Sequence, residues 1–443
     1  MPNSLENAAK FCGYLDSDDQ RVKALVRQLQ MRWNICQGEQ DLCSLTVLLL
    51  NLLESWYLDR EGWVSVSRNK NFYTIPKRYN PLDIGYRSLV RTLDALVENK
   101  LIEQKIGFRD ERVNRSFRTR IRPDARLSDL FVRLGSKKVN VSVARNYETI
   151  LLRDSEKRLV DYEDTNETKE MRGRLTEYNE FLLSKKFGLI RNPLKLNERR
   201  RPLVRIFNNG RFDQGGRFYG GWWQNIPSEW RGLIVMEPFN TPTLEFDYSG
   251  LHVKLLYALE GIGFEGDPYL TGSQQSRSVQ KLILLVALNA DNKDNAIRAI
   301  QHRIKEEGLE WDKEQEGDVE DLIKMFRTFH GDLDKAGYFF SGYGIKLQYL
   351  DSQIAERVMM GAMKHDILVL PVHDSFVFAE PDKDKVVKLM NEAYERITKF
   401  EPGIGESKHS GEWIPLSEYM FNKLTIKKQE PNPSPDIITN TNI

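Results

Sequence analysis

Three short segments of this chain carry side chains of the kind that handle phosphoryl groups. Thr243-Leu-Glu-Phe-Asp247-Tyr-Ser-Gly is a β-favouring run that ends at an aspartate, and Leu251, Leu255, Leu256 and Leu259 follow at helical spacing. Asp247 is therefore expected where a strand gives way to a helix. Leu370-Pro-Val-His373-Asp374-Ser-Phe-Val-Phe378 puts a second aspartate at the tip of an expected β-hairpin, held between apolar strands. Two carboxylates on adjacent strand ends repel by about 4 kcal/mol at roughly 4 Å and an effective dielectric near 20, so both stay ionised only beside cations. Two magnesium ions supply that compensation. Such a pair, roughly 3.5–4 Å apart, clamps the attacking and leaving oxygens of an in-line phosphoryl displacement. The third segment, Arg277-Ser-Val-Gln-Lys281-Leu-Ile-Leu-Leu-Val-Ala-Leu-Asn289, reads as an apolar helix with two cations four residues apart on one face and Leu282, Leu285 and Val286 inward. Two cations on one helix face suit a triphosphate.

In this order the segments resemble the polymerase module of family A DNA polymerases and the related single-subunit RNA polymerases of phages and mitochondria. Asp247-Tyr-Ser is similar to their first metal-binding motif, Arg277-xxx-Lys281 to their nucleotide-binding finger helix, and His373-Asp374-Ser-Phe to their second metal-binding motif in its RNA-polymerase spelling. Asp213-Gln-Gly-Gly216-Arg217 resembles the family's duplex-contacting motif, and Gln224-Asn-Ile-Pro227 repeats a DNA-polymerase string that follows it. Gln348 falls where the family has a glutamine in the duplex minor groove. The resemblance covers about residues 205 to 420. It implies that Asp247, Asp374 and the Tyr248 carbonyl bind two Mg2+ ions, with Mn2+ as the alternative ion. It further implies that Arg277 and Lys281 hold the triphosphate, with Lys281 also donating a proton to the leaving pyrophosphate. Arg217, Gln224, Gln348 and His373 would position template and primer.

The departures bear on specificity. Five residues after Asp247 the DNA polymerases carry glutamate, a wall against the ribose 2′-hydroxyl, and the RNA polymerases carry glycine; this chain has His252. An imidazole is bulky enough to exclude a 2′-hydroxyl and polar enough to bind one. The finger helix of the family ends in an aromatic residue and glycine, where the ring stacks on the nascent pair; here Asn289-Ala290 stand in that place. A stacking platform is worth roughly 1–3 kcal/mol per base, so its loss implies modest fidelity or a substitute ring, for which Phe339, Phe340 and Tyr343 are the candidates.

Stepping upstream, residues 20–130 read as a winged helix. Asn80-Pro81 starts a helix through Tyr86 to Val97, a strand follows at Leu101–Ile106, and a charged loop at 107–116 leads to a returning strand at 117–121. Tyr86, Arg87 and Arg91 could enter a major groove, and Arg109, Arg112, Arg115, Arg118, Arg120 and Arg122 could reach phosphates. Residues 131–205 read as a charged connector or reduced thumb, with one helical stretch from Glu167 to Leu183. A basic run between Lys185 and Arg217 is a candidate phosphate track.

Composition limits the class. The 65 Lys and Arg against 64 Asp and Glu give a net charge of +1, so overall charge offers no argument for nucleic acid. Cys12, Cys36 and Cys43 form neither a zinc pattern nor a disulfide framework. The N-terminus lacks an apolar signal region, and the run Leu45–Leu53 is too short to cross a membrane, which points to a cytoplasmic protein. No run of acidic metal ligands before residue 200 suggests a proofreading exonuclease.

The expectation is an α+β chain: a winged-helix domain (20–130), a connector or thumb (131–205), then a right-hand polymerase with an antiparallel palm sheet. The palm spans 206–260, with Arg217 and Asp247, and 341–423, with Asp374; the fingers span 261–340, and a tail at 424–443 is disordered. The function expected is a small DNA polymerase without proofreading, working on a template-primer duplex and nucleoside triphosphates. The alternatives are a single-subunit RNA polymerase or primase, and a catalytically inactive DNA-binding initiator or regulator.

Overall fold

The computed structural model describes residues 8–406, apart from 36–37, 111–114, 136–138, 193–194, 240, 242 and 312–316. Arg112 of the expected wing, Cys36 and the tail 424–443 lie outside the described residues. Helices and strands are mixed, as an α+β chain requires. The described residues divide into two compact units, one made of 8–165 and 192–200, the other of 166–191 and 201–406. The stretch 131–205, expected as one connector, is thus shared out: its first part and 192–200 pack with the N-terminal unit, and the helix near 167–183 belongs to the second.

In the N-terminal unit, α1 (Gln20–Trp33) starts where the Asp19 side chain accepts the Arg21 N–H and stops at Asn34, whose φ of 50° is left-handed. Helix α2 (Glu39–Leu58) is long and apolar enough to span a membrane, and 72% of its apolar window is buried. Its apolar character therefore serves a core: Leu45, Leu48, Leu52 and Trp56 pack with Leu25, Leu29, Leu93, Leu96 and Phe131. The expected limit on Leu45–Leu53 misjudged the helix, which extends well beyond that run on both sides. Strand β1 (Val64–Val66), helix α3 (Tyr86–Glu98), strand β2 (Ile102–Lys105), the hairpin β3 (Phe108–Asp110) and β4 (Arg115–Phe117), and strand β5 (Thr119–Pro123) follow. β5 lies between β1 and β2, antiparallel to both.

The arginines of this unit are mostly committed. Arg120 is only 4% exposed and lies over Phe117. Arg118 stacks over Phe72, and Arg122 binds Glu103 through two nitrogens at 3.0 and 3.1 Å. Arg91 grips buried Asp41 at 2.6 and 3.1 Å. Arg120 and Arg122 on β5, and Arg118 just before it, have aromatic and acidic neighbours, so cation–π and ion-pair contacts engage charges that were expected to meet phosphate. Arg87 and Arg109 remain exposed.

The second unit opens with α4 (Asn166–Ser184), then the antiparallel pair β6 (Val204–Asn208) and β7 (Arg211–Tyr219), with a bulge near Phe207. Gly216 has a φ of 80°, and a Cβ there would press on Phe207 at 2.8 Å, so glycine is required where β7 kinks. Strand β8 (Thr243–Tyr248) runs into α5 (Leu251–Leu259). Then come α6 (Arg277–Asn289), α7 (Lys293–Glu306), α8 (Val319–Phe329) and the long α9 (Gly344–Lys364). The hairpin β9 (Val369–Val372) and β10 (Ser375–Ala379), helix α10 (Lys383–Thr398) and β11 (Ile404–Glu406) complete it. The strands pair in the order β9–β10–β8–β11, all antiparallel.

Several cations of the basic run from Lys185 to Arg217 have partners within the protein. Lys185 pairs with Asp366, Lys186 with Glu237, Lys195 with Asp59 and Arg200 with Glu54. Arg201 donates to the carbonyls of Lys185 and Phe187, and Arg205, 1% exposed, donates to Gly216 O at 2.7 Å and binds Glu356 at 3.0 Å. These cations meet carbonyls and carboxylates, some exposed and some buried, that composition alone does not reveal.

Candidate active site

The sheet sets the site. β8 alternates faces, so Phe246 and Tyr248 turn to one side and Glu245 and Asp247 to the other. The first side is an aromatic layer: Tyr248 stacks on Tyr394 at 5.7 Å and donates its hydroxyl hydrogen to Met390 O at 2.7 Å. Phe246 packs on Phe378 at 5.6 Å. Because that face is sealed beneath α10, the carboxylate face is fixed in register. Asp247 sits directly across from Ser375, the residue after Asp374.

Asp374 lies in the two-residue turn between Val372 and Ser375, where His373 adopts a left-handed φ of 60°. That conformation is uncommon for a residue with a Cβ and marks a constrained turn. The two aspartates, far apart in the chain, are thus brought close: Asp247 on β8 faces the residue that follows Asp374. Burial and then the Asp374 charge push the Asp247 carboxyl above its usual range, while Lys281 and Arg277 pull it down. Among the described residues neither carboxylate has a hydrogen-bond or ion-pair partner.

Helix α6 brings the cations. Ser276 caps it by accepting the Val279 N–H, and Val279, Leu282, Ile283 and Ala287 are buried, leaving Arg277 and Lys281 exposed. The buried face differs by about one residue from the expected one, because Leu285 and Val286 are only half-buried. Arg277 is bound to Asp267. Burial works against the Asp267 charge, but the Arg277 guanidinium and the Tyr269 N–H hold its carboxyl below the usual range.

Tyr269 is a member of the site that sequence reasoning missed. Its ring is 4% exposed, with the Arg277 guanidinium 5.1 Å from its centroid and the Lys281 ammonium 5.6 Å away. Burial pushes its hydroxyl up to about 12, with Arg277 pulling down and Asp374, Asp267 and Asp247 pushing further up. The one available signal was the Asp267-Pro-Tyr turn just ahead of the helix. Gly250, at φ 65°, admits that turn: a Cβ would meet the Pro268 ring at 2.5 Å. The Pro268 carbonyl is tied to buried His330 Nε2 at 2.9 Å, and His330 Nδ1 lies 2.9 Å from the Tyr257 hydroxyl.

The remaining expected residues fall into two groups. His373 lies beside Tyr219 at 5.5 Å, and its Nδ1 is buried with no hydrogen-bond partner among the described residues. Burial and Arg217 lower its pKa against the opposing pull of Asp374. Gln348 is half-buried on α9. By contrast, Gln224 is structural in its contacts: its amide donates to Phe218 O and Pro371 O, both at 3.0 Å, beside the Trp223 indole on the same Pro371 carbonyl. Arg217 and His252 are both bound to Asp351, with Arg217 Nε 2.9 Å from Oδ2 and His252 Nε2 2.9 Å from the same oxygen. Asn289 donates to Leu285 O and fills the space over Gly344, where a Cβ would overlap its side chain. The end of α6 is covered by the segment after α8, through Phe340 N to Ala287 O at 2.7 Å and Gly342 N to Ala290 O at 3.1 Å. Of the candidate substitute rings, Phe339 is buried and Phe340 and Tyr343 are half-exposed.

The donor set suits a hard divalent cation. Among the described residues no group of three or more His, Cys, Asp or Glu side chains is placed to hold a metal. Two carboxylates with no direct side-chain partner among the described residues, able to complete a shell with a backbone carbonyl, water and substrate phosphate, are an arrangement magnesium favours.

No protein-family model matches the chain, and no curated protein matches it. Among solved structures it is similar to the POL domain of Pol1 from M. smegmatis in complex with DNA primer-template and dNTP, at 11% identity and a TM-score of 0.28, over 89% of this chain and 67% of that one. A superposition this loose carries no argument about fold or chemistry.

Proposed function

We propose that this protein is a template-directed nucleotidyltransferase, a small DNA polymerase that extends a primer 3′-hydroxyl with deoxynucleoside triphosphates. The reading is carried by one observation: the pairing of β8 with β10 brings Asp247 and Asp374, neither with a side-chain partner among the described residues, to adjacent positions, with Lys281 and Arg277 acting on Asp247. Asp247, Asp374 and the Tyr248 carbonyl hold two magnesium ions in this proposal. When bound, the ions neutralise triphosphate charge and acidify the attacking hydroxyl.

The chain's own groups do the rest. Arg277 leaves Asp267 to bind the triphosphate, and Lys281 binds beside it. The 3′-hydroxyl loses its proton to water and its oxygen attacks the α-phosphorus, the bond from that phosphorus to the bridging oxygen breaks, and Lys281 gives its proton to the departing pyrophosphate and regains one from solvent. His373, next to Asp374, helps to position the primer terminus, and Gln348 reaches the minor groove.

In the N-terminal unit, the order α2–β1–α3–β2–β5, with a hairpin between the last two strands, supports the winged-helix reading, with Tyr86 and Arg87 of α3 directed to DNA. The wing then meets its ligand with exposed Ile106 and Phe108 and with Arg109, in place of the arginine array.

Extension of a labelled primer tests the proposal. Deoxynucleotides should be incorporated in the presence of magnesium and a template. Efficient ribonucleotide synthesis without a primer would instead identify an RNA polymerase or primase. Duplex binding with no incorporation under either condition would identify an inactive initiator.

A further inference from the structure

Asp351 has no counterpart in the motifs read from the sequence, and it is the most buried charge near the site. Its side chain is 0% exposed, whereas those of its partners Arg217 and His252 are 17% and 16% exposed. The carboxylate is therefore sealed behind two groups that form the surface. Arg217 spans both oxygens, Nε lying 3.1 Å from Oδ1 and 2.9 Å from Oδ2, and Nη2 also binds Oδ2. His252 Nε2 lies 2.9 Å from Oδ2 and 3.1 Å from Arg217 Nη2.

A guanidinium has donors only and a carboxylate accepts only, so Arg217 donates to both oxygens of Asp351. His252 Nε2 lies within hydrogen-bond reach of both the Asp351 carboxylate and Arg217 Nη2, and either contact holds the ring in place. Arg217 Nη1 has no partner among the described residues. A buried carboxylate that fixes ring orientation is a recognised way to set what an imidazole presents. The cluster adjoins the reacting groups: Arg217 feels the Asp374 charge, and His373 feels Arg217, Asp374 and Asp351.

We propose that Asp351 is the positioning residue for sugar choice: it clamps the His252 ring and the Arg217 guanidinium into one rigid wall beside the nucleotide, so that a 2′-hydroxyl is rejected. This rests on the polymerase reading and on His252 lying at the nucleotide's sugar. A ring free to swing would admit a ribonucleotide; a clamped one does not.

The test is single-nucleotide primer extension, measuring kcat/KM for a deoxynucleotide and for the ribonucleotide with the same base. Asp351→Asn keeps the shape and removes the charge. It should lower the deoxy-to-ribo ratio by about tenfold or more. His252→Ala should lower the ratio comparably, and Asp351→Asn in the His252→Ala background should lower it no further. Equal losses for both sugars in Asp351→Asn would make Asp351 merely structural and overturn the proposal. Independent, multiplying effects of the two substitutions would overturn it as well. If Asp351→Asn does not fold, His252→Ala decides alone: an unchanged ratio sinks the proposal. A wild-type protein that incorporates neither nucleotide fails at the polymerase reading itself, an outcome distinct from an active enzyme whose ratio does not move.

Discussion

Glu245 and Asp247 project from the same face of β8, two residues apart, and their surroundings are opposite. Glu245 is 3% exposed and fully engaged, with Arg231 at 2.6 and 2.8 Å and the Ser375 hydroxyl at 2.6 Å. Asp247 is half-buried beside a second carboxylate, and among the described residues no group pairs with it. The same strand thus carries one carboxylate whose charge is spent on architecture and one that no described residue pairs with. The contrast teaches that strand position and residue type do not tell a structural acid from a candidate functional one; internal pairing does.

The largest effect expected from this contrast is on activity. Asp374→Asn should reduce nucleotide incorporation by about a thousandfold or more while duplex binding stays nearly unchanged, as read by primer extension and by fluorescence anisotropy. Retained incorporation would remove Asp374 from the reacting centre. Glu245→Gln should act on stability instead. It strands the Arg231 charge in a buried site and should cost about 3–5 kcal/mol in denaturant unfolding. A cost below about 1 kcal/mol would erase the distinction drawn between the two acids.

A second internally satisfied group sharpens the comparison through pH. Burial lowers the His330 pKa to about 4, below the usual value of about 6.5. The unfolded chain then binds more protons between these limits, so stability from this site is complete above about 6.5 and falls as pH drops towards about 4. His330→Phe should flatten the wild-type slope of unfolding free energy across that window, and an unchanged slope would assign the loss to other groups. The smallest effect concerns the open pair. Raising the Asp247 pKa means that its ionised form costs stability at neutral pH, so Asp247→Asn should unfold at the same temperature or slightly higher without metal. Magnesium should raise the wild-type midpoint by a few degrees and leave that of Asp247→Asn unmoved. A metal shift of equal size in both proteins would place the ion elsewhere.

Much of the local structure could be read from pattern. The apolar period around Arg277 and Lys281 specifies a helix with both cations outward, and apolar strands around His373-Asp374 specify a hairpin with the acid at its tip. Those features depend on neighbours within a few residues. The internal partners of Gln224 and of the basic run were not legible for one physical reason, since their acceptors are backbone carbonyls and distant carboxylates that leave no trace in nearby sequence. Arg201, for instance, looked like a phosphate ligand until the carbonyls of Lys185 and Phe187 were found beside it.

Residue order and hydrophobic alternation were thus enough to put Asp247 at the end of a strand and Asp374 at the tip of a turn. Whether these acids meet, and what surrounds them, came from long-range pairing. The aromatic layer of Phe246, Tyr248 and Tyr394 locks the register that sets the two carboxylates side by side. Asp351 looks like any polar residue of an amphipathic helix, yet it binds Arg217 across 134 residues and His252 across 99. Electrostatic compensation acts through space over a few ångströms, so which charges are spent and which stay open follows from the packing of distant segments.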